Sequence, residues 1–346
     1  MKITTIGVDL AKEVFQIHGV DAHGKVVLRK QLRRGEMAKY FANLEPCLIG
    51  MEACGSAHYW ARKLGEFGHA VKLMAPQFVK PYVKTNKNDM ADAEAICEAV
   101  TRTNMRFVPI KTVEQQGILS IHRARQGFVE ARTAQGNQIR GLLSEFGIVI
   151  PKGITSVFKR VPEILEDAEN GLPGTMRKLL ERLTDNLKEM DRQVTELEKQ
   201  IQLWHLDNEA SCKLDAIPGI GPITASAIVA TVGNAREFKD GRQLAAWLGL
   251  VPKQSSSGGK QTLLGISKRG DTYLRTLLIH GARSVIRFAE HKAEPNQWLC
   301  KLMARRNKNV AAVALANKNA RIVWALLAKD RMFRPDYTPA EKAAGV

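Results

Sequence analysis

The chain opens with two β-branched apolar runs, Ile3–Asp9 and Val14–Val20, which predict strands. Asp21-Ala-His-Gly24 supplies turn residues and Lys25-Val-Val-Leu continues as a third strand, so the second and third strands should form a hairpin. A short helix near Met37–Leu44 leads into a buried-looking strand, Cys47–Glu52. A helix over about Ser56–Phe67, a strand at Ala70–Met74 and a helix over Asp89–Val100 follow. Residues 1–105 therefore predict a mixed sheet covered by helices.

Residues 112–150 read as helical, with Arg123, Arg125, Arg132 and Arg140 along them. The stretch 151–174 carries three prolines and receives no assignment. Beyond it, Met176, Leu180, Leu183, Leu187, Met190, Val194, Leu197, Ile201 and Trp204 recur at alternating spacings of four and three. This is the a/d seam of a coiled coil sustained over about four heptads. A helix packed on its own domain shows a wider apolar stripe. The seam thus favours pairing between chains over its alternative, an intramolecular helical hairpin. From residue 210 the pattern changes to short helices broken by glycine, and 335–346 reads as a loose tail.

Composition narrows the class. The 346 residues, 45% of them hydrophobic, suffice for two or three domains with real cores. No run approaches the ~18 apolar residues of a membrane helix, and Asp9 interrupts the N-terminus before any signal-peptide stretch forms. The expectation is a soluble cytoplasmic protein. Cys47, Cys54, Cys97, Cys212 and Cys300 form no C-x-x-C pair, and the eight histidines show no metal spacing, which argues against a disulfide frame or structural zinc. The formal net charge is +17, and residues 251–346 hold 18 Lys and Arg against 6 Asp and Glu. A basic excess is often only a solvated surface. Concentration in the last quarter points instead to a polyanion partner, above all nucleic acid.

Three segments carry candidate chemistry. Asp9 and Glu52 each end an apolar strand, and Asp89 and Asp92 share one face at the start of a helix. Singly, such acids are caps or dipole partners. Four of them gathered by one α/β domain would repel unless a cation lay between them, and hard carboxylate oxygens suit Mg²⁺ or Mn²⁺. The second segment, Ile217-Pro-Gly-Ile-Gly-Pro-Ile-Thr224, has the form of a helix–hairpin–helix. Gly219 and Gly221 would offer backbone N–H groups to a phosphate. The third is Gly249–Lys260, whose Ser-Ser-Ser-Gly-Gly reads as a flexible loop, followed by Lys268, Arg269 and Arg275. With Lys260, these are suitable phosphate ligands.

In this order, Gly7-Val-Asp9-Leu-Ala-Lys12, Met51-Glu52-Ala-Cys-Gly55, Asn88-Asp89-Met-Ala-Asp92-Ala93, Ile217–Thr224 and Gly249–Arg275 resemble the DEDD transposases of bacterial insertion sequences. The family is the one numbered one-ten, and the likeness is nearest to its eleven-eleven subgroup. The resemblance spans residue 3 to about 330. It implies an RNase H-like, RuvC-type catalytic domain (1–105), a helical linker and coiled coil (106–209), a transposase domain with the helix–hairpin–helix and a serine loop (210–335), and a tail (336–346). It also implies that Asp9, Glu52, Asp89 and Asp92 bind metal and that Ser257 is the nucleophile forming a phosphoserine link to DNA. Ser255 and Ser256 are the alternatives if the register of the loop differs. The further implications are element-end and target DNA as substrates, an element-encoded guide RNA, a homodimer through 176–204, a tetramer in the active complex, and an active site shared between protomers. Two other readings stand beside it: a junction nuclease that uses water, for which Ser257 is only loop, and a non-catalytic nucleic-acid-binding protein.

Overall fold

A computed structural model of the chain describes residues 2–84, 88–258, 260–289 and 297–335. The predicted tail, 336–346, lies outside the described residues. The chain divides into two compact units, Met1–Val113 and Glu114–Val346.

The first unit is a six-stranded mixed sheet: β1 (Thr5–Leu10), β2 (Val14–Val20), β3 (Val26–Arg33), β4 (Leu48–Glu52), β5 (Ala70–Met74) and β6 (Phe107–Val108), in the spatial order β3-β2-β1-β4-β5-β6. β1, β4 and β5 run parallel, and β2, β3 and β6 antiparallel to their neighbours. Alternation decides what covers each face. Ile6, Val8, Phe15, Ile17, Ile49 and Met51 point to one side, where α1 (Met37–Ala42) and α2 (Ala57–Glu66) bury Phe41, Trp60 and Leu64 against them. After β5 comes the short α3 (Pro76–Val79), and then α4 (Asp89–Val100), which covers the other side.

Two sequence expectations shift here. β3 runs on to Arg33 rather than stopping at Leu28, although only Leu32 is buried within it. It is an edge strand, where charged side chains are tolerated and the apolar alternation that marks a strand is lost. β6, two residues long, is too short to leave any periodicity.

The second unit is mostly helical. α5 (Val113–Ser144), α6 (Ile154–Glu166) and α7 (Gly174–Leu206) come first. α8 (Glu209–Asp215), α9 (Pro222–Val232) and α10 (Gly241–Trp247) follow, then an antiparallel pair, β7 (Pro252–Ser257) and β8 (Lys260–Ile266). α11 (Thr272–Ala289), α12 (Gln297–Met303) and α13 (Lys308–Ala328) complete it. The helix α6 fills the stretch left unassigned. Its prolines fall before it, inside it at Pro162, and after it. The carbonyls at its C-terminal end are met by the Arg177 guanidinium, which donates to the backbone oxygens of Ile164, Leu165, Asp167 and Leu172.

The expected seam between chains is corrected in part. α7 is one helix over the whole repeat, but its a positions Leu180, Leu187, Val194 and Ile201 are buried within the chain. α5 lies antiparallel along it: Arg125 pairs with Glu198, Arg132 with Asp191, and Gln135 accepts from Asn186. Met176, Leu180 and Leu187 pack with Ile139 and Leu143 of α5 and Val157 and Val161 of α6. The apolar stripe looked narrow because the polar pairs of this intramolecular hairpin flank it. Among the described residues one helix, α13, is long and apolar enough to cross a membrane. It is a core helix, with Ala312, Leu315, Ala316, Val323 and Leu326 packed in the cluster formed by α8–α11.

Candidate active site

β1 and β4 are parallel neighbours in the register Val8↔Met51, so Asp9 and Glu52 stand level at the carboxyl ends of adjacent strands. Period-two alternation places Asp9 on the face of Gly7, and Glu52 on the face of Gly50. Both glycines lie under α4. A Cβ on Gly7 would come within 2.2 Å of the Ala93 carbonyl oxygen, and one on Gly50 within 2.8 Å of Val100 Cβ. The helix can descend onto the sheet only because these positions have no side chain. Isolated glycines inside strands were the sequence signal for that approach, and the sequence reading passed over them.

The descent brings the first turn of α4 to the end of β1. Asn88 caps the helix, its side chain accepting from the Met90 N–H at 2.9 Å, and fixes where Asp89 and Asp92 emerge. Carboxylate oxygens of Asp9, Asp89 and Asp92 lie within 4.8 Å of one another, with Asp9 and Asp92 half-buried and Asp89 exposed. Each like-charged pair at this distance costs between about 1 and 4 kcal/mol, depending on how much water screens it. Three hard oxygen donors converging in this way fit a magnesium or manganese ion in their donor chemistry. Glu52, half-buried, is not in that trio but ends the adjacent strand. Its charge and that of Asp9 both reach the Cys54 thiol, which is pushed above its ordinary value first by loss of solvent and then by Glu52 and Asp9.

The serine segment belongs to the second unit and is not the loop expected of its composition. Ser255, Ser256 and Ser257 are strand residues of β7, opposite Thr262, Gln261 and Lys260 of β8. Gly258 follows with φ +54°. Two glycines between polar residues that tolerate β structure are a hairpin signal, masked in the sequence by serine content. The base of the hairpin is tightly held. Gly249 (φ +73°) and Gly270 (φ +91°) leave no room for a Cβ, which would meet Arg269 O at 2.1 Å and Trp247 O at 1.8 Å.

The predicted phosphate ligands divide. Lys260, Lys268 and Arg269 are exposed. Arg275 is a correction: it is buried, and its guanidinium donates to the carbonyls of Leu248 and Arg269 and to Thr272 Oγ1, so it braces the hairpin base and has no side chain to offer a ligand. Gly219 and Gly221 sit between α8 and α9, half-buried. Gly219 (φ +88°) packs backbone to backbone on Gly281 of α11, and Asn319 Nδ2 donates to Pro218 O at 2.9 Å. The turn thus has a packing reason for its first glycine.

A polar chain that sequence reading missed ties these helices together. His122 of α5 stands 3.1 Å from Tyr273 Oη of α11 and 3.0 Å from Ser226 Oγ of α9. Ser226 Oγ donates to Pro222 O at 2.6 Å, so the imidazole Nε2–H donates to Ser226 and Nδ1 accepts from Tyr273. Burial, and then the nearby Arg125 charge, push His122 down to about 4, keeping it neutral.

The comparisons with known proteins bear on both units. Residues 6–148 match a DEDD-type family model described as a transposase, and residues 212–297 match the one described as the transposase IS116/IS110/IS902 family. The chain is 54% identical to a probable family 20 transposase of Pseudomonas aeruginosa, over 97% of this chain and 100% of the relative. It is 44% identical to the transposase for insertion sequence element IS1111A of Coxiella burnetii, over 96% and 92%. It is 42% identical to the transposase for insertion sequence element IS1328 of Yersinia enterocolitica, over 96% and 98%.

Proposed function

The chain belongs to the IS110-type family of DEDD transposases, DNA recombination enzymes of insertion sequences, and from that premise we propose that it cuts and rejoins strands at the ends of its own element by metal-assisted serine chemistry. The observation that carries the reading is the convergence of Asp9, Asp89 and Asp92 at the end of β1 on a mixed sheet.

In this reading Asp9, Asp89 and Asp92, with Glu52 beside them, hold the divalent ion. When bound, the ion supplies charge stabilisation to the phosphoryl group in transfer. The carboxylates would position that ion, Asp9 and Glu52 from the ends of β1 and β4 and Asp89 and Asp92 from the first turn of α4. Ser257 Oγ attacks phosphorus: the Oγ–P bond forms, the bond from phosphorus to one deoxyribose oxygen breaks, the serine proton passes to a base, and the departing oxygen is protonated. Reversal with a different strand's hydroxyl rejoins the DNA. Lys260, Lys268 and Arg269 contact the backbone, and the Gly219–Gly221 turn acts as a helix–hairpin–helix on phosphate. Sequence choice falls to a guide RNA encoded by the element. The protein works in the cytoplasm as a homodimer or tetramer, with the half-buried d positions Leu183, Met190 and Leu197 of α7 contributing to contact between copies. Residues 1–105 form the catalytic domain, 106–209 the helical linker and 210–335 the transposase domain.

Strand cleavage of element-end DNA, titrated with Mg²⁺, tests this. Wild type should cut only with the ion, and Asp9→Asn should lose at least about 100-fold in rate, the several kcal/mol expected when charge stabilisation is lost. Undiminished cutting by Asp9→Asn would overturn the reading.

A further inference from the structure

β2 and β3 extend the sheet beyond the carboxylates, and α4 leaves part of that extension open. The register Asp9↔Gln16↔Gln31 puts three side chains in one row on the α4 face. Arg29, in the register Gly7↔His18↔Arg29, and Arg33, opposite Val14, flank that row on the same face. The side is confirmed by Arg29, whose guanidinium reaches to 3.9 Å from Glu94 of α4. Gln31, Arg29 and Arg33 are exposed and Gln16 is half-buried. Neighbouring strands are about 4.8 Å apart, so Gln16 lies one strand and Gln31 two strands, about 10 Å, from the Asp9 row.

We propose that this face, Gln16, Gln31, Arg29 and Arg33, grips the sugar–phosphate backbone of the DNA strand whose phosphodiester lies at Asp9, Asp89 and Asp92. The proposal rests on the reading of those carboxylates as the catalytic centre. The chemistry favours a backbone: two guanidiniums suit phosphate oxygens, and two amides donate to phosphate or sugar without demanding a base. The occupant is set by continuity, because a strand held at the carboxylates and running across β2 and β3 meets Gln16 and then Gln31 between the two arginines. Charged residues on an edge strand also discourage edge-to-edge pairing. That role would be indifferent to which face they occupy. Lys30, a charge of the same strand that points to the opposite face and lies 4.7 Å above the Tyr40 ring, is therefore the control that separates the two roles.

The test uses the full-length protein, a labelled single-stranded DNA oligonucleotide from the element end, and no divalent ion, so that binding is read without cleavage. Arg29→Ala with Arg33→Ala should lower the slope of log affinity against log salt by about 1.4, and weaken binding roughly tenfold at 0.15 M salt, as loss of two single-strand phosphate contacts requires. Lys30→Ala should leave both unchanged. At the exposed Gln31, Gln31→Glu should weaken and Gln31→Lys tighten binding, which keeps the test open if the double variant fails to fold. A photocrosslinker on Gln31→Cys should mark the cut strand within a few nucleotides of the scissile bond, beyond any background from the labelled wild type. Equal losses for Lys30→Ala and the double variant, an effect confined to RNA oligonucleotides, or crosslinks far from the cut would overturn the proposal. If the double variant binds normally while Asp9→Asn no longer cuts, this surface fails alone. If Asp9→Asn still cuts, the catalytic reading fails instead.

Discussion

At the scale of single residues, Asp9, Asp89 and Asp92 are held closer together than their charges favour. Neutralising one of them should therefore help the apo fold. Asp92→Asn, studied by thermal unfolding in chelator, should melt at or above wild type. Added Mg²⁺ should raise the wild-type midpoint, as a ligand that binds only the folded state does, and raise the variant's much less. A midpoint for wild type that ignores millimolar Mg²⁺ would show that the trio holds no ion. The acids themselves were legible in the sequence, because strand ends and a helix start are positions that hydrophobic patterning can locate. Their distances were not, because these depend on Gly7 and Gly50 letting α4 onto the sheet. Arg275 marks the opposite case. Its spacing from Lys268 and Arg269 suggested a phosphate ligand, and nothing local revealed that three oxygens inside the fold would claim its guanidinium.

Among the elements, the paired helices α5 and α7 show where periodicity informs and where it stops. The repeat of four and three located a 33-residue helix and its buried face. It did not say which helix would cover that face, since a seam reads alike whether its partner is the same chain or another. The pairing of Arg125 with Glu198 and Arg132 with Asp191 is a long-range relation that no local window contains. The same holds for the chain from Ser226 through His122 to Tyr273, which joins α9, α5 and α11 across more than a hundred residues. This chain has a pH consequence. Unfolded, His122 takes up a proton near 6.5; folded, burial and then Arg125 hold it back to about 4. Between those values the unfolded state binds more protons, so stability falls as pH drops through that window. The contribution is on the order of 3 kcal/mol. Urea unfolding of His122→Gln, which keeps a donor and an acceptor, should show that part of the pH dependence removed. An identical slope in wild type and variant would mean the imidazole titrates normally.

For the whole molecule, the acids lie in the unit Met1–Val113 and the serine strand in the unit Glu114–Val346, and family matches fall in both. A mixed sheet followed by a mainly helical remainder was readable from the change in hydrophobic period alone. The β7–β8 hairpin was not, because seven of its thirteen strand residues are Ser, Thr, Gln or Lys at its tip and its side chains are mostly exposed, so no buried face writes an alternation into the sequence. That pair carries Ser257, on which the proposed chemistry turns. The central claim is that Ser257 becomes covalently joined to DNA with the help of the carboxylate site. The direct measurement incubates purified protein with labelled element-end DNA, candidate guide RNA and Mg²⁺, denatures the mixture in detergent, and looks for a protein–DNA band. The account predicts an adduct for wild type and none for Ser257→Ala or Asp9→Asn. Strand cleavage without any adduct, undiminished in Ser257→Ala, would contradict it and leave a nuclease that uses water.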